Sequence, residues 1–275
     1  MTVDRSKFQF TSETVPRGYD EYLVPLLFDP WAQALVAELK PAPGCRALDV
    51  ATGPGTVARI LAAAIGPSGQ VAAIDTSPAM ITRAESKGDV VGGAPIAYTV
   101  GPAEPLPYPD AAFSVVTCQQ GLQFFPNAGA ALGEMRRVLT SRGRLAASVW
   151  FPIADCSVFH AFAETLRATG LVELADLMAT PFPHWTSSEL ADRARSAGFQ
   201  SVNVVGEARD VVFPGGLAQV LQALTGTPLG PLLAALEPER LAAIAERARE
   251  CFASLIEPDG AVRGAMRSWV LKATA

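Results

Sequence analysis

The stretch "LDVATGPGTVARILAAA", residues 48–64, decides the fold. It begins as an apolar run, turns sharply through two glycines and a proline, and continues as an alanine-rich helical pattern. A carboxylate, Asp49, stands in the apolar run just before the turn. A strand, a glycine-rich turn and a helix in this order are typical of sites where a helix N-terminus meets a ligand. The surrounding residues have to indicate which ligand that is.

Short apolar runs alternate with helical patterns on both sides of this stretch. The alternation favours parallel βαβ units, and near-continuous apolar runs such as "FSVV" fit strands that are buried on both faces. We therefore expect an α/β fold with a doubly wound, mostly parallel, seven-stranded Rossmann-like sheet. The predicted strands are residues 46–51, 70–75, 96–101, 113–119, 144–150, 199–213 and 260–274.

Helical patterns connect these strands and add helices at the N-terminus and after the fifth strand. Ser77 is a predicted N-cap, with Pro78 at the first helical position. Before the first strand, Pro25 and Pro30 interrupt the pattern, which predicts two short helices there. The other predicted helices are residues 56–65, 77–88, 127–139, 157–170, 171–179, 187–198, 217–226 and 238–256, the third of which ends in a turn before Gly143.

Composition narrows the class of protein. The 275 residues are 49% hydrophobic and 18% charged, with a net charge of −5, and they contain no basic run of the kind that binds nucleic acid. Four scattered cysteines and two histidines form no metal-ligand spacing, so we expect no metal site. The N-terminal residues lack the apolar core of a signal peptide, and the apolar stretches are too short to span a membrane. We expect a soluble, cytoplasmic protein with no nucleic-acid or membrane partner.

The glycine turn by itself leaves the ligand open. "GPGTVA" (53–58) satisfies the loose dinucleotide pattern, and Asp75 follows about twenty residues beyond it, as nicotinamide, flavin and S-adenosylmethionine (SAM) proteins all require. Asp49 opposes a pyrophosphate, because two negative charges a few ångströms apart at an effective dielectric of ~20 repel by several kcal/mol. SAM instead presents an ammonium and a sulfonium. An acid before the glycines therefore favours SAM over a nicotinamide dinucleotide.

Four segments together resemble the class I SAM-dependent methyltransferases. They are "LDVATGPG", "AIDTSPAMITRA", "AEPLPYPDAAFSVV" and "ALGEMRRVLTSRGRL", and they cover roughly residues 45–150 in the order and spacing of that family. The resemblance is closest to the group that holds the ubiquinone/menaquinone methyltransferases and many small-molecule methyltransferases. It implies one methyltransferase domain over residues 1–275, with an N-terminal helical lid (1–44), a SAM-binding core (45–150), and substrate-side helices plus the last two strands (151–275).

The resemblance implies how the methionine half of SAM is held. Asp49 would orient the ammonium, directly or through water. Gly53 and Gly55 would let the backbone approach the ligand. Cys118 and Gln119, at the end of the fourth strand, would border the methionine and the sulfonium.

The same resemblance places the adenosine half. Asp75 would hold the ribose hydroxyls, Thr76 and Met80 would pack on the adenine, and Ala103 and Glu104 would lie along its edge. An aspartate usually precedes the alanine at 103 and receives the adenine amino group. Here Pro102 stands in that place, so Glu104 or a backbone carbonyl would have to substitute.

Two other features concern the family pattern around the cofactor. Ala51 occupies a cofactor-site position where the family often has glycine, although "LDVAT" is accepted in the quinone branch. Tyr19 and Tyr22 lie in an N-terminal segment that commonly folds over the cofactor; Tyr19 would contact SAM and Tyr22 the acceptor, with simple packing as the alternative.

The acceptor has to be recognised outside these motifs, because an in-line methyl transfer needs only a positioned nucleophile and excluded water. Gln120, Gln123 and Trp150 are candidate acceptor-pocket residues with Tyr22. His184 and His160 are the only imidazoles available as a general base, and ordinary packing or surface exposure is the alternative for both.

We predict a transferase that methylates a small, rather apolar metabolite at oxygen, nitrogen or carbon, in secondary metabolism, as a monomer or homodimer. The alternative is a SAM-binding protein that catalyses a cyclisation or rearrangement without methyl transfer, because fold does not dictate function. A third hypothesis is a nicotinamide-dependent reductase.

Overall fold

The computed structural model describes residues 14–275 of the chain, and it contains one seven-stranded sheet. The strand order is β3-β2-β1-β4-β5-β7-β6, so the direction of winding reverses between β1 and β4. In open α/β sheets, ligands bind at this switch point, beyond the carboxyl ends of the strands. The strands are β1 (Arg46–Val50), β2 (Gln70–Asp75), β3 (Ile96–Val100), β4 (Phe113–Gln119), β5 (Leu139–Trp150), β6 (Gln200–Phe213) and β7 (Val262–Thr274).

Strands β1 to β5 run parallel to one another. Strand β7 runs antiparallel to β5, because the Phe151 N–H donates to the Arg267 carbonyl at one end and the Ala275 N–H donates to the Gly143 carbonyl at the other. This mixed, mostly parallel sheet with flanking helices confirms the predicted doubly wound Rossmann-like fold.

The flanking helices follow the predicted order. Ser77 caps its helix, since its hydroxyl accepts from the Met80 N–H at 3.3 Å. In the order of the chain, the helices are α1 (Thr14–Gly18), α2 (Tyr19–Phe28), α3 (Asp29–Leu39), α4 (Thr56–Ile65), α5 (Pro78–Glu85), α6 (Ala128–Val138), α7 (Ser157–Ala168), α8 (Val172–Ala179), α9 (Ser187–Ser196), α10 (Gly216–Leu224), α11 (Gly230–Ala234) and α12 (Pro238–Cys251).

The N-terminal helices differ from the prediction of two short helices broken at both prolines. Pro25 lies inside α2, which is wound as a π-type helix, and its ring is exposed. Pro30 lies in the first turn of α3, where a missing N–H costs nothing. The two prolines therefore have different effects: one is accommodated within a wider helix and the other begins a helix.

Strand β5 also differs from the prediction, which placed its start at residue 144 after a turn. Helix α6 ends at Val138, and β5 begins at once with Leu139, which pairs with Phe113 of β4. The chain stays in the sheet past Gly143, where a residue without a side chain avoids a clash with the Thr140 carbonyl. The register with β4 shifts here, from Phe113–Leu139 to Val115–Arg144, and Arg142 adopts a positive φ of +64°, so the strand is irregular where the turn was predicted.

The chain divides into two compact units. One consists of residues 28–149, 185–207 and 268–275, and we call it the core unit; the other consists of the described residues up to 27 with 150–184 and 208–267, and we call it the second unit. The hydrophobic core of the core unit includes fully buried side chains of Leu48, Val116 and Leu145 from three neighbouring strands. A single domain over residues 1–275 stays a prediction.

Candidate functional site

Asp49 lies near the end of β1 as a completely buried carboxylate, with 1% of its surface exposed. The hydroxyl of Thr52 donates to its Oδ2 at 2.6 Å, and the hydroxyl of Thr117 donates to its Oδ1 at 2.7 Å. Burial raises the pKa of Asp49 to about 7; the two hydroxyls oppose the rise, and repulsion from Asp75 adds to it. The carboxyl is therefore poised to ionise when a cation arrives.

Asp75 ends β2 and holds the glycine turn in place. Its Oδ2 accepts from the Gly53 N–H at 2.8 Å, and its Oδ1 accepts from the Ser77 N–H at 2.9 Å. Burial raises the pKa of Asp75 as well, against the effect of these backbone donors. The carboxylate thus joins the turn after β1 to the start of α5.

The two glycines of the turn have different surroundings. Both adopt positive φ, +53° at Gly53 and +81° at Gly55, where glycine is favoured. A Cβ at Gly53 would meet nothing within 4 Å, so a ligand can approach the backbone there. A Cβ at Gly55 would lie 2.7 Å from the Tyr98 hydroxyl and 3.1 Å from the Ala84 Cβ. The chain itself therefore requires the second glycine.

A loop from Gly101 to Ala112 begins beside Asp75, because the Gly101 N–H donates to the Asp75 carbonyl at 2.9 Å. Ala103 in this loop is 8% exposed, and Glu104 is half-buried. On the other side of Asp75, the Thr76 side chain is exposed and Met80 is buried. The residues predicted for the adenosine half of SAM therefore gather around the carboxyl ends of β2 and β3.

The ends of β1 and β4 approach each other closely at the switch point. Ala51 after β1 and Gln120 after β4 both adopt positive φ, +57° and +53°. A Cβ on Gly121 would lie 2.7 Å from the Ala51 Cβ and 2.8 Å from the Cys118 Sγ. Cys118 is completely buried, and burial raises the pKa of its thiol far above the usual value. Gln119 donates from Nε2 to the Phe28 carbonyl at 2.9 Å.

Two buried glutamines beyond β4 have side-chain polar atoms without hydrogen-bond partners in the described part of the chain. Gln123 is 6% exposed, and neither its Oε1 nor its Nε2 has a hydrogen-bond partner in the described part of the chain. Gln120 is also 6% exposed; its Nε2 donates to the Ser268 hydroxyl at 3.0 Å, but its Oε1 has no partner there. Buried amides without partners point to a bound ligand or water.

The remaining predicted site residues belong to the second unit. Tyr19 and Tyr22 are half-buried in α2, and Trp150 ends β5 with 3% of its surface exposed. His160 lies half-buried on α7, and His184 is exposed in the loop before α9. The structure thus gathers the predicted SAM residues other than Tyr19, together with Gln120 and Gln123, in the core unit.

Sequence reasoning missed the two threonines that bind Asp49. Thr52 follows it by three residues in the turn, and Thr117 lies opposite it in the parallel register of β1 and β4. A polar residue within the otherwise apolar run "VVTC" (115–118) was the available signal for Thr117. A buried polar side chain there needs a partner, and the end of the neighbouring strand supplies it.

Two kinds of feature, a cluster of metal ligands and a membrane-spanning helix, are absent among residues 14–275. No group of three or more His, Cys, Asp or Glu side chains within this range is arranged to hold a metal ion. No helix within it combines the length and the apolar character needed to cross a bilayer.

A family model described as "Methyltransferase domain" matches residues 48–147, which include both acids, the glycine turn and the loop after β3. Residues 48–147 therefore carry a methyltransferase domain. The match confirms the resemblance inferred from the four segments.

Curated relatives of this methyltransferase domain include the ubiquinone/menaquinone biosynthesis C-methyltransferase UbiE of Burkholderia vietnamiensis. It is 34% identical over 140 residues, which make up 48% of this chain and 56% of the relative. The chain therefore spans little more than half the length of the curated relatives it matches.

Solved structures share the fold of the methyltransferase domain. The YcgJ protein of Bacillus subtilis matches with a TM-score of 0.60 at 18% identity, covering 89% of this chain and 98% of that one. Phosphoethanolamine N-methyltransferase 2 of Haemonchus contortus, solved with SAM, matches with a TM-score of 0.61 at 15% identity, covering 100% of this chain and 60% of that one.

The residues present fit SAM as a ligand. Repulsion from Asp75 helps to raise the pKa of Asp49, and in the described part of the chain no Lys or Arg lowers the pKa of either carboxyl. This negative site suits a cationic ligand and opposes a pyrophosphate. The open space at Gly53 allows the ligand to meet the backbone.

Proposed function

We propose that the protein transfers a methyl group from SAM to a small, rather apolar metabolite, at an oxygen, nitrogen or carbon atom. The observation that carries the proposal is the pair of carboxylates, the buried Asp49 and the half-buried Asp75, at the carboxyl ends of β1 and β2. When bound, SAM supplies an electrophilic methyl group on a positively charged sulfur. The chain's own residues have to bind, orient and shield the two reactants.

Asp49 would attract the ammonium of the cofactor. Thr52 and Thr117 donate to its two oxygens, which leaves the carboxylate oriented rather than free to rotate. Asp75 would accept from the ribose hydroxyls while its oxygens keep the glycine turn in place. Charge-assisted bonds of this kind are the stronger ones in proteins.

The rest of the cofactor would be enclosed by neighbouring backbone and apolar surface. Gly53 and Ala51 would border the methionine half, together with Gly55, Cys118 and Gln119. Cys118 is completely buried, so it would support the wall of the site from behind. Thr76, Met80, Ala103 and Glu104 would surround the adenine, and Tyr19 would cover the cofactor.

The acceptor would meet the unsatisfied amides of Gln120 and Gln123, with Tyr22 and Trp150 as further pocket residues. A neutral side-chain amide can donate two hydrogen bonds and accept two without adding charge, which suits a rather apolar molecule with a hydroxyl or carbonyl group. This support comes from the unpartnered Oε1 of Gln120 and the unpartnered amide of Gln123.

His184 and His160 are the proposed general bases where the acceptor has to lose a proton. His184 is exposed in a loop, and His160 is half-buried on α7. If either acts as base, replacing it by alanine lowers kcat and removes one limb of the pH–rate profile. An unchanged profile in both variants would assign the deprotonation to solvent or make it unnecessary.

The deciding experiment incubates the protein with methyl-labelled SAM and a panel of small phenols, amines and quinol-like carbon acids. Label in the product supports the proposal. Product without label supports the alternative, a cyclisation or rearrangement that uses SAM without methyl transfer. Stabilisation of the protein by NADH but not by SAM or S-adenosylhomocysteine in a thermal-shift assay would instead favour a reductase.

The cellular setting follows from the same proposal. A small-molecule methyltransferase without nucleic-acid or membrane partners would work in the cytoplasm, in secondary metabolism, as a monomer or homodimer. Cell fractionation tests the cytoplasmic location, and sedimentation of the purified protein tests the oligomeric state.

A further inference from the structure

Arg137, in the last turn of α6, spreads its guanidinium over the loop between β3 and β4. One terminal nitrogen donates to the Tyr108 carbonyl at 2.8 Å and to Asp110 at 2.7 Å. The other donates to the Leu106 carbonyl at 3.0 Å. A single side chain thus contacts three residues of one loop.

Glu134, one turn earlier on α6, completes this arrangement. Its Oε1 accepts from Nε of Arg137 at 2.8 Å, and its Oε2 accepts from a terminal nitrogen of Arg137 and from the Leu106 N–H, both at 2.8 Å. The Arg137 guanidinium lowers the pKa of the Glu134 carboxyl, so both groups are charged at neutral pH. The ion pair therefore binds the loop at Leu106, where Glu134 accepts from the N–H and Arg137 donates to the carbonyl.

Backbone bonds continue the grip to the start of β4. The Ala111 N–H donates to the Arg137 carbonyl at 3.0 Å, and the Ala112 N–H donates to the Val138 carbonyl at 2.8 Å. At the other end, the loop is tied to the Asp75 carbonyl through the Gly101 N–H. Between Gly101 and Leu106, which is bound by Glu134 and Arg137, lie only four residues: Pro102, Ala103, Glu104 and Pro105. The two prolines have a restricted φ.

We propose that the Glu134–Arg137 pair is a positioning device that holds Ala103 and Glu104 in place against the adenine of SAM. Neither residue of the pair touches the cofactor in this arrangement; both act through the loop. The inference rests on the proposed adenine role of Ala103 and Glu104. It also explains how the adenine edge is organised although Pro102 replaces the usual aspartate: a loop fixed from behind presents its backbone and Glu104 in one conformation.

The test compares two variants with a matched control on the same helix. Arg137→Lys keeps the positive charge but loses the planar fork that reaches several acceptors at once. Glu134→Gln leaves the side-chain length unchanged but removes the ion pair. Arg136→Ala is the control, because Arg136 is the neighbouring arginine, and within residues 14–275 its side chain donates to the Gly198 carbonyl at 3.4 Å and to no residue of the loop.

The probes are SAM and 5′-methylthioadenosine, which contains the adenosine half without the amino acid. We expect Arg137→Lys to weaken both by a similar factor, about tenfold, since charge-assisted bonds that order the loop are lost. Glu134→Gln weakens both by a smaller factor, and Arg136→Ala changes neither by more than about twofold. At saturating SAM, kcat of Arg137→Lys stays close to that of the wild type, because the reacting atoms are not touched.

Equal affinities of wild type and Arg137→Lys for 5′-methylthioadenosine, measured at a temperature where both are folded, would overturn the inference. So would a loss confined to melting temperature, which would make the pair a purely structural clamp. Amide hydrogen exchange without ligand provides the separate readout: residues 106–112 exchange faster in Arg137→Lys. If the wild type binds no SAM, the proposed function is contradicted. Faster exchange in Arg137→Lys would then still show that the Glu134–Arg137 pair holds the loop.

Discussion

The Thr117 hydroxyl donates to Oδ1 of Asp49 at 2.7 Å, joining the ends of two neighbouring strands inside the protein. The bond lies at the switch point of the sheet, where β1 and β4 pair in parallel. With the matching bond from Thr52, it fills the acceptor positions that water would otherwise occupy. The two hydroxyls therefore orient the acid, and its burial, which outweighs their effect on its pKa, keeps it reluctant to ionise until a cation binds.

The first prediction concerns the pH dependence of stability. In the unfolded chain the Asp49 carboxyl ionises near pH 3.8, whereas in the folded protein its pKa is about 7. Between these values the folded state holds more protons, so the free energy of unfolding falls as pH rises, by on the order of 4 kcal/mol in total. Asp49→Asn stays neutral and removes this part of the slope, which denaturant titrations at several pH values measure.

The same substitution has the opposite effect on cofactor binding. An ammonium favours the ionised carboxyl, so the wild type binds SAM more tightly as pH rises from 5 to 7. Asp49→Asn binds more weakly at pH 7 and shows a flatter pH profile. Because a threonine hydroxyl both donates and accepts, the asparagine keeps its hydrogen bonds and the fold is preserved. Identical profiles in the two proteins would place the cofactor's cation elsewhere.

The second prediction separates the two glycines of the turn. Gly53→Ala costs about 1–2 kcal/mol of stability from its positive φ, but it introduces no clash, so its main effect is weaker SAM binding. Gly55→Ala adds overpacking of about 1–3 kcal/mol to the same backbone cost, since its Cβ would lie against the Tyr98 hydroxyl. Chemical unfolding and SAM titration of both variants distinguish these effects.

Tyr98→Phe is the matched rescue for Gly55→Ala. It removes the oxygen that lies 2.7 Å from the new Cβ, so the double variant recovers part of the lost stability. When Tyr98→Phe is combined with Gly53→Ala instead, we expect no recovery of SAM affinity. No recovery in the double variant would show that backbone strain, and not the tyrosine, sets the cost at Gly55.

The third prediction concerns Gln123. Gln123→Met keeps a similar volume and removes a buried amide that lacks partners, so the free energy of unfolding rises by about 1–3 kcal/mol. The acceptor loses a hydrogen-bonding group, so KM for the acceptor rises while SAM affinity stays the same. A gain in stability at the expense of function is common where a site is built from unsatisfied groups.

Gln120→Met is the contrast for this experiment. Its Nε2 donates to the Ser268 hydroxyl at 3.0 Å, so its removal leaves that hydroxyl with one contact fewer and brings no comparable gain. If Gln123→Met is no more stable than Gln120→Met, then Gln123 has a hydrogen-bond partner in the folded protein.

The fourth prediction concerns Asp75. Asn has one acceptor oxygen where Asp has two, so Asp75→Asn leaves either the Gly53 or the Ser77 N–H facing an amide NH₂ group. We expect a loss of about 1–3 kcal/mol in stability together with weaker SAM binding. Ser77→Ala is the control: it removes the helix cap, costing about 1 kcal/mol, but keeps the carboxylate. Weakened SAM binding in the control alone would contradict the role of Asp75.

Some features of the site were predictable because their signals are local. The turn after β1, Asp75 at the end of β2 and the cap at Ser77 all follow from residues within a few positions of each other. The structure also corrected two local readings, the helix break at Pro25 and the residue at which β5 begins. In both cases packing in three dimensions outweighed the preference of a short segment.

The sequence by itself determined the order of strands and helices along the chain and the class of cofactor, because hydrophobic periodicity, glycine turns and the placement of acids are properties of neighbouring residues. Only the tertiary structure decided how those acids are held. Thr117 lies 68 residues from the Asp49 it binds, and Arg137 lies 31 residues from the Leu106 carbonyl it grips. Such contacts depend on strand register and helix placement, which arise only when the whole sheet has assembled.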